Sequence, residues 1–305
     1  MESNSMNEYN LSPSVRFAVF LGTTGISMIV GAFISFSIAA LLLKVPFNDL
    51  QNVILNPENS NMAQFANALA SIIAFGLPSI AVAFFTQGPL LRNMGFNKWD
   101  SSVQWIWVIL LALAGLLLSG SLGDITEKIP APKSILNWAN GLEEQYKKAL
   151  LAMTQMKSVT DLLFSVIAVA FIPAIVEELY FRASLQKVLM DWSDKPYLSI
   201  VITAIIFSAF HFSYFGFLSR MSLGIVIGCV YYFTKTIWMP ILMHFINNAI
   251  GIVTLYFVRS DPQKVNTVLE GNLTYYWVFV AIIVVYFLLK KLKNASDHAR
   301  LEKSV

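Results

Sequence analysis

Residues 17–43 contain no Asp, Glu, Lys or Arg and are almost wholly apolar. A hydrocarbon core about 30 Å thick is crossed by roughly 20 helical residues. It offers no water to pair a free backbone N–H or C=O, so such a run is forced to be helix. Comparable runs recur at 65–85, 105–120, 159–186, 198–218, 219–233, 237–257 and 274–289. The expected fold is all-α, a polytopic membrane bundle of about eight transmembrane helices. Composition agrees, with 56% hydrophobic and 13% charged residues, against about 25% charged in ordinary soluble domains. Pro46 and Pro57 interrupt the polar segment after the first run, Pro78 is expected to kink the second, and Trp105 and Trp107 anchor the third at an interface.

Charge gives the expected orientation. With the N-terminus inside, twelve basic residues fall in inner connections (Arg16, Arg92, Lys98, Arg182, Lys187, Lys195, Lys235, Lys290, Lys291, Lys293, Arg300 and Lys303) and four in short outer loops (Lys44, Arg220, Arg259 and Lys264). This excess places both termini in the cytoplasm. Residues 1–14 hold two glutamates and no basic residue, which is no signal-peptide n-region, and the run that follows is too long for an h-region. The first run is therefore expected to be a retained membrane helix, and neither end shows a lipidation motif. The net charge of +3 includes no clustered basic patch outside the C-terminal tail, so no nucleic-acid partner is expected. Cys229 is the single cysteine and reads as a small core residue. Residues 124–157 form a long polar stretch, read as a solvated connector, with an amphipathic helix lying across a site as the alternative.

Against this background a few polar groups stand out. Glu177, Glu178 and Arg182 occur within six residues at the end of the run that begins near Ser158. A bilayer charges several kcal/mol for such a group unless it faces protein or a water-filled cavity. On a helix Glu178 and Arg182 share a face, whereas Glu177 is about 100° round from Glu178. One carboxylate can be held by the arginine and the other left available. Pro173 removes a backbone hydrogen bond four residues before Glu177, so an opening or bend is expected there. Two of the three histidines, His211 and His244, also lie in apolar runs, and His244 shares a helical face with Asn248. A single histidine of this kind is as readily a packed residue as a functional one, but the whole set points to one shared polar cavity.

The inventory has a chemistry. A buried glutamate can take a proton from water and return it to a leaving amine, while histidine and asparagine can donate to the oxygen of a tetrahedral intermediate. No G-x-S-x-G occurs, and Cys229 has no histidine at helical spacing. Two histidines and a glutamate could instead hold zinc with an open water position, although HExxH is absent.

The motifs resemble those of the CPBP family, which comprises CAAX prenyl proteases and bacteriocin-processing intramembrane endopeptidases. Its three patterns, EExxxR, FxxxH and HxxxN or HxxxB, are met in order by Glu177, Glu178 and Arg182, by Phe207 and His211, and by His244 and Asn248. The resemblance covers about residues 159–252 and implies an all-helical core around a cavity in the membrane where peptide bonds are hydrolysed. By that resemblance Glu177 activates water with His211 assisting, and His244 and Asn248 stabilise the oxyanion. Glu178, Arg182 and Phe207 are the supporting members. No cofactor is expected. A zinc-dependent version of the same protease is the alternative, less favoured because asparagine is a poor zinc ligand and a good oxyanion donor.

The expected organisation is an N-terminal part over 1–157, a catalytic core over 158–258 and a final helix with a basic tail over 259–305. The expected partners are membrane lipids and a membrane-anchored peptide or protein substrate, in a bacterial plasma membrane. A non-catalytic scaffold that binds a partner helix is the reading from another functional class.

Overall fold

A computed structural model of the protein describes residues 10–270 and 273–303; residues 1–9 of the polar N-terminal segment lie outside it. Every regular element among the described residues is helical. The main helices are α1 (Pro13–Leu43), α2 (Ser60–Phe84), α3 (Val103–Lys128), α4 (Lys133–Met153), α5 (Val159–Ser193), α6 (Pro196–Ala209), α7 (Phe217–Thr234), α8 (Trp238–Val258), α9 (Pro262–Glu270) and α10 (Trp277–Lys303). Their ends follow local chemistry. α1 and α6 start on proline, whose missing N–H costs no bond in a first turn. The Ser158 and Asp161 side chains form a reciprocal capping box at the start of α5. Lys44, Asp194 and Lys235, all left-handed, close α1, α5 and α7.

Six of these helices (α1, α2, α3, α5, α7 and α8) are long and apolar enough to cross a membrane. The other two expected crossings exist as helices but differ from expectation. α6 has 14 residues, about 21 Å at 1.5 Å per residue, and stops at Ala209 instead of running on to Leu218. The chain turns at Phe212, whose φ is +49°, and Ser213 fixes the turn by accepting from the Gly216 N–H at 3.1 Å. α10 continues as helix through its basic end to Lys303. Gln104 of α3 donates to Ser296 at 2.9 Å, Arg300 donates to the Phe233 carbonyl at 2.9 Å, and Lys303 pairs with Asp100 at 3.2 Å. The expected tail is thus docked.

Lipid tails are as apolar as leucine, so these helices associate by close packing more than by exclusion of water. Small residues provide it: a Cβ at Gly31 of α1 would lie 3.0 Å from the Ala70 carbonyl oxygen of α2, and one at Gly224 of α7 would lie 3.0 Å from the Ala204 Cβ of α6. Val108, Leu111, Val230, Met243 and Leu292 join α3, α7, α8 and α10 in one core cluster. Phe20, Tyr180, Phe181 and Phe207 form a second, aromatic cluster around α5. As a result α5 is enclosed by α1, α2, α6, α7 and α8.

Contacts at the chain ends share one end of the bundle. Arg16 of α1 pairs with Asp191 at 3.1 Å and donates to Thr86 just past α2, while Lys303 meets Asp100 just before α3. The long polar segment lies at the opposite end and is not a solvated connector. α3 extends through Asp124 to Lys128, and α4 packs across the bundle. Ser213 donates to Glu143 at 2.8 Å, the Gln64 amide donates to the Met153 carbonyl, Trp138 faces Tyr214 at 6.2 Å, and the Arg220 guanidinium sits 4.7 Å over Tyr146. Residues far apart in sequence decide this placement.

The glycine packing gives a direct test. Gly224→Leu should lower the melting temperature in detergent by several degrees, as overpacking costs about 1–3 kcal/mol and the Ala204 Cα stands 3.2 Å from the added carbon. Gly25→Leu, with nothing within 4 Å of its new Cβ, should melt like wild type.

Candidate active site

α5 carries the acidic motif and is not a regular α-helix throughout. Its turns widen to π geometry over Val166–Phe171 and again over Leu179–Gln186. Pro173 has no N–H, and its ring clashes with the carbonyl four residues earlier, so the widened turn before it lets the helix continue without a break. The expected opening before Glu177 takes this form. The second wide stretch is held by Ser184, whose hydroxyl donates to the Leu179 carbonyl at 2.9 Å. Wide turns of this kind are frequent where a helix carries function.

Glu178 and Arg182 are both fully buried, with Arg182 Nε 3.1 Å from Glu178 Oε2. The approach is off the hydrogen-bond line, so the contact is an ion pair and not an aligned fork. Arg182 Nη2 donates instead to the Gly224 carbonyl at 3.3 Å, and the guanidinium lies 4.9 Å over the Phe207 ring. Phe207 therefore supports the site as a cation–π platform. The other Glu178 oxygen, Oε1, is 2.8 Å from His244 Nδ1. A carboxylate only accepts, so Nδ1 carries a proton and donates it there. This leaves His244 Nε2 facing Glu177 Oε2 at 3.9 Å.

Glu177 is placed differently from its neighbour. Its side chain is 16% exposed, its Oε2 has no hydrogen-bond partner, and it faces a cavity of about 380 Å³. His211, His244 and Asn248 line the same cavity, and Tyr146 and Leu150 of α4 close one side. His211 lies just past the end of α6, in the turn, and not within a helix as expected. Its Nδ1 donates to the Phe207 carbonyl at 2.9 Å, which leaves Nε2 as an acceptor. The structure thus brings Glu177, His211, His244 and Asn248 to one cavity and sets Glu178, Arg182 and Phe207 behind it.

Among the described residues no three His, Cys, Asp or Glu side chains form a metal-binding group. Asn247 also lines the cavity and was not singled out by the motifs, although its spacing of three from His244 puts it on the same helical face. Tyr146 and Leu150 gave no sequence signal, since only the docking of α4 brings them here.

Residues 159–250 match the family model described as type II CAAX prenyl endopeptidase Rce1-like. The match covers under a third of the chain, so the likeness is of the core alone. The matched stretch holds every motif residue described above. The part that precedes it, α1 to α4, lies outside the match, as do α9 and α10. Comparison with curated proteins and with solved structures gave no match.

The core should depend on Arg182 for its fold. Arg182→Ala leaves Glu178 buried with only His244 beside it, a change that costs about 3–5 kcal/mol for a fully buried pair. A large drop in the detergent melting temperature is expected. Arg182→Lys should recover only part of it, because an ammonium cannot meet Glu178, reach the Gly224 carbonyl and stack on Phe207 together. An Arg182→Ala protein that melts like wild type would show that the pair is not structural.

Proposed function

We propose that the chain is an intramembrane endopeptidase that hydrolyses peptide bonds of membrane-anchored proteins or peptides with a glutamate-activated water. The observation that carries the reading is the contrast between two adjacent carboxylates. Glu178 is fully buried, with Arg182 at 3.1 Å and His244 at 2.8 Å, while Glu177 is 16% exposed, lines the cavity, and has only His244 Nε2 near it among the described residues, at 3.9 Å. An unpaired carboxylate in such a place is poised to accept a proton.

In the proposed reaction a water beside Glu177 gives it a proton and attacks the scissile carbonyl carbon. His211 Nε2 accepts the second hydrogen bond of that water and orients it. The oxyanion takes hydrogen bonds from the Asn248 amide and from His244 Nε2. With Nδ1 committed to Glu178, His244 can donate from Nε2 only as an imidazolium, and Glu178 offsets that charge. The proton on Glu177 then passes to the leaving nitrogen as the C–N bond breaks, giving a carboxylic acid and an amine, and the acid's proton moves to the amine to leave a carboxylate and an ammonium. Arg182 acts through Glu178 and is a positioning residue.

The protein is read as a multi-pass component of a bacterial plasma membrane. In this reading α6 and α10 complete eight passes with the six long helices, and both termini lie on the cytoplasmic side. This orientation is supported by the basic residues at the end of the bundle where α1 begins and α10 ends.

The test uses purified wild type and Glu177→Gln with membrane-anchored peptides, followed by mass spectrometry. Removing the general base should lower turnover by about 10²–10⁴-fold with binding retained. Equal cleavage by the two proteins would defeat the proposal. Rescue of a cellular loss phenotype by folded Glu177→Gln would favour the scaffold reading instead.

A further inference from the structure

Asn247 is distinguished by the bonds it does not make. It is 8% exposed, on the inner face of α8, and it lines the cavity that holds Glu177, His211 and His244. Neither its Nδ2 nor its Oδ1 has a hydrogen-bond partner. The other buried amides among the described residues are anchored. Gln64 donates to Ser165 at 2.8 Å, Asn93 to the Thr86 carbonyl at 2.7 Å, Gln104 to Ser296 at 2.9 Å and Gln186 to the Gly228 carbonyl at 3.1 Å. Buried polar groups are nearly always paired, so an amide with donor and acceptor both idle on a cavity wall calls for a specific reason.

We infer that the Asn247 carboxamide binds the main chain of the peptide substrate next to the scissile bond. The inference rests on the proteolytic reading and deepens it. In an extended chain the N–H and C=O of one residue point to the same side, as strand pairing shows. One carboxamide can meet both, with Nδ2–H donating to the carbonyl and Oδ1 accepting from the N–H. An anionic headgroup or a free carboxylate would engage only the donor and leave Oδ1 idle. Glu177 and His211 hold the water and His244 and Asn248 hold the oxyanion, and of the other polar residues on the cavity wall Asn67 is exposed and Tyr146 carries the Arg220 guanidinium on its ring. Asn247 contributes sequence-independent grip, which fixes the register of the substrate backbone over Glu177. Recognition of this kind demands that the substrate be locally unwound, since a helical segment has its N–H and C=O groups already paired.

Two measurements decide the matter. Wild type, Asn247→Leu and Asn247→Met are melted in one detergent without substrate. They are then assayed on a membrane-anchored peptide that wild type cleaves and on versions of it in which each backbone amide near the scissile bond is replaced in turn by an ester, which has no N–H. At least one apolar variant should melt at or above wild type, because an apolar group of similar size removes an unpaired donor and acceptor. KM should rise about tenfold in that variant with a smaller change in kcat, and one ester position should raise KM about tenfold in wild type but not in the variant. Melting of both variants below wild type, or equal ester penalties in wild type and variant, would overturn the inference. A wild type that cleaves nothing defeats the proteolytic reading and the inference with it, whereas cleavage with equal ester penalties defeats the inference alone.

Discussion

Glu178 and Arg182 meet at 3.1 Å with neither side chain exposed, inside a helix that itself lies inside the bundle. A buried ion pair is poor at raising net stability, because the cost of desolvating both charges consumes most of their attraction. Its value here is geometric. Glu178 accepts from His244 Nδ1 at 2.8 Å, and that bond orients the imidazole so that Nε2 faces Glu177. Arg182 reaches on to the Gly224 carbonyl at the contact between α6 and α7. One arginine therefore ties the acidic motif, the histidine of α8 and a close contact between α6 and α7 into a single arrangement, and loss of either charge would leave the other buried without its partner.

The cavity exists because several helices depart from regularity around this fixed point. α5 widens its turns on both sides of the Glu177–Glu178 pair, and α6 ends early, so His211 sits at a turn beside open space. α4 then covers the mouth, held by the contacts of Glu143, Trp138 and Met153. The outer faces are as the bilayer requires: Ile29, Phe33 and Leu41 of α1 are among the many large apolar side chains that point away from the protein. Polar groups are concentrated where protein, and not lipid, surrounds them.

Much of this was legible in the sequence. Uncharged runs of membrane length dictated helices, and the four-residue spacing of Glu178 and Arg182 placed them on one face. What escaped depended on contacts between distant residues. The letters from Phe210 to Leu218 carry no Asp, Glu, Lys or Arg and include four phenylalanines, so the apolar run reads through the turn at Phe212 that Ser213 and Gly216 secure. The amphipathic pattern of α4 indicates a helix at an interface but not the cavity it would cover. The docked end of α10 relies on Asp100 and Ser296 finding partners about two hundred residues away in the chain. The bond from His244 to Glu178 spans 66 positions, and the idle amide of Asn247 is visible only once every neighbour is placed.

The division of labour between the adjacent glutamates is the central claim, and it can be measured without any substrate. Glu177→Gln and Glu178→Gln differ from wild type by one oxygen each and can be melted side by side in the same detergent. The account predicts that Glu177→Gln melts at or slightly above wild type, since it removes an underpaired carboxylate from a cavity wall. Glu178→Gln should melt far below, because it leaves Arg182 buried without a counter-charge. The reverse order, with Glu178→Gln stable and Glu177→Gln destabilised, would contradict the account.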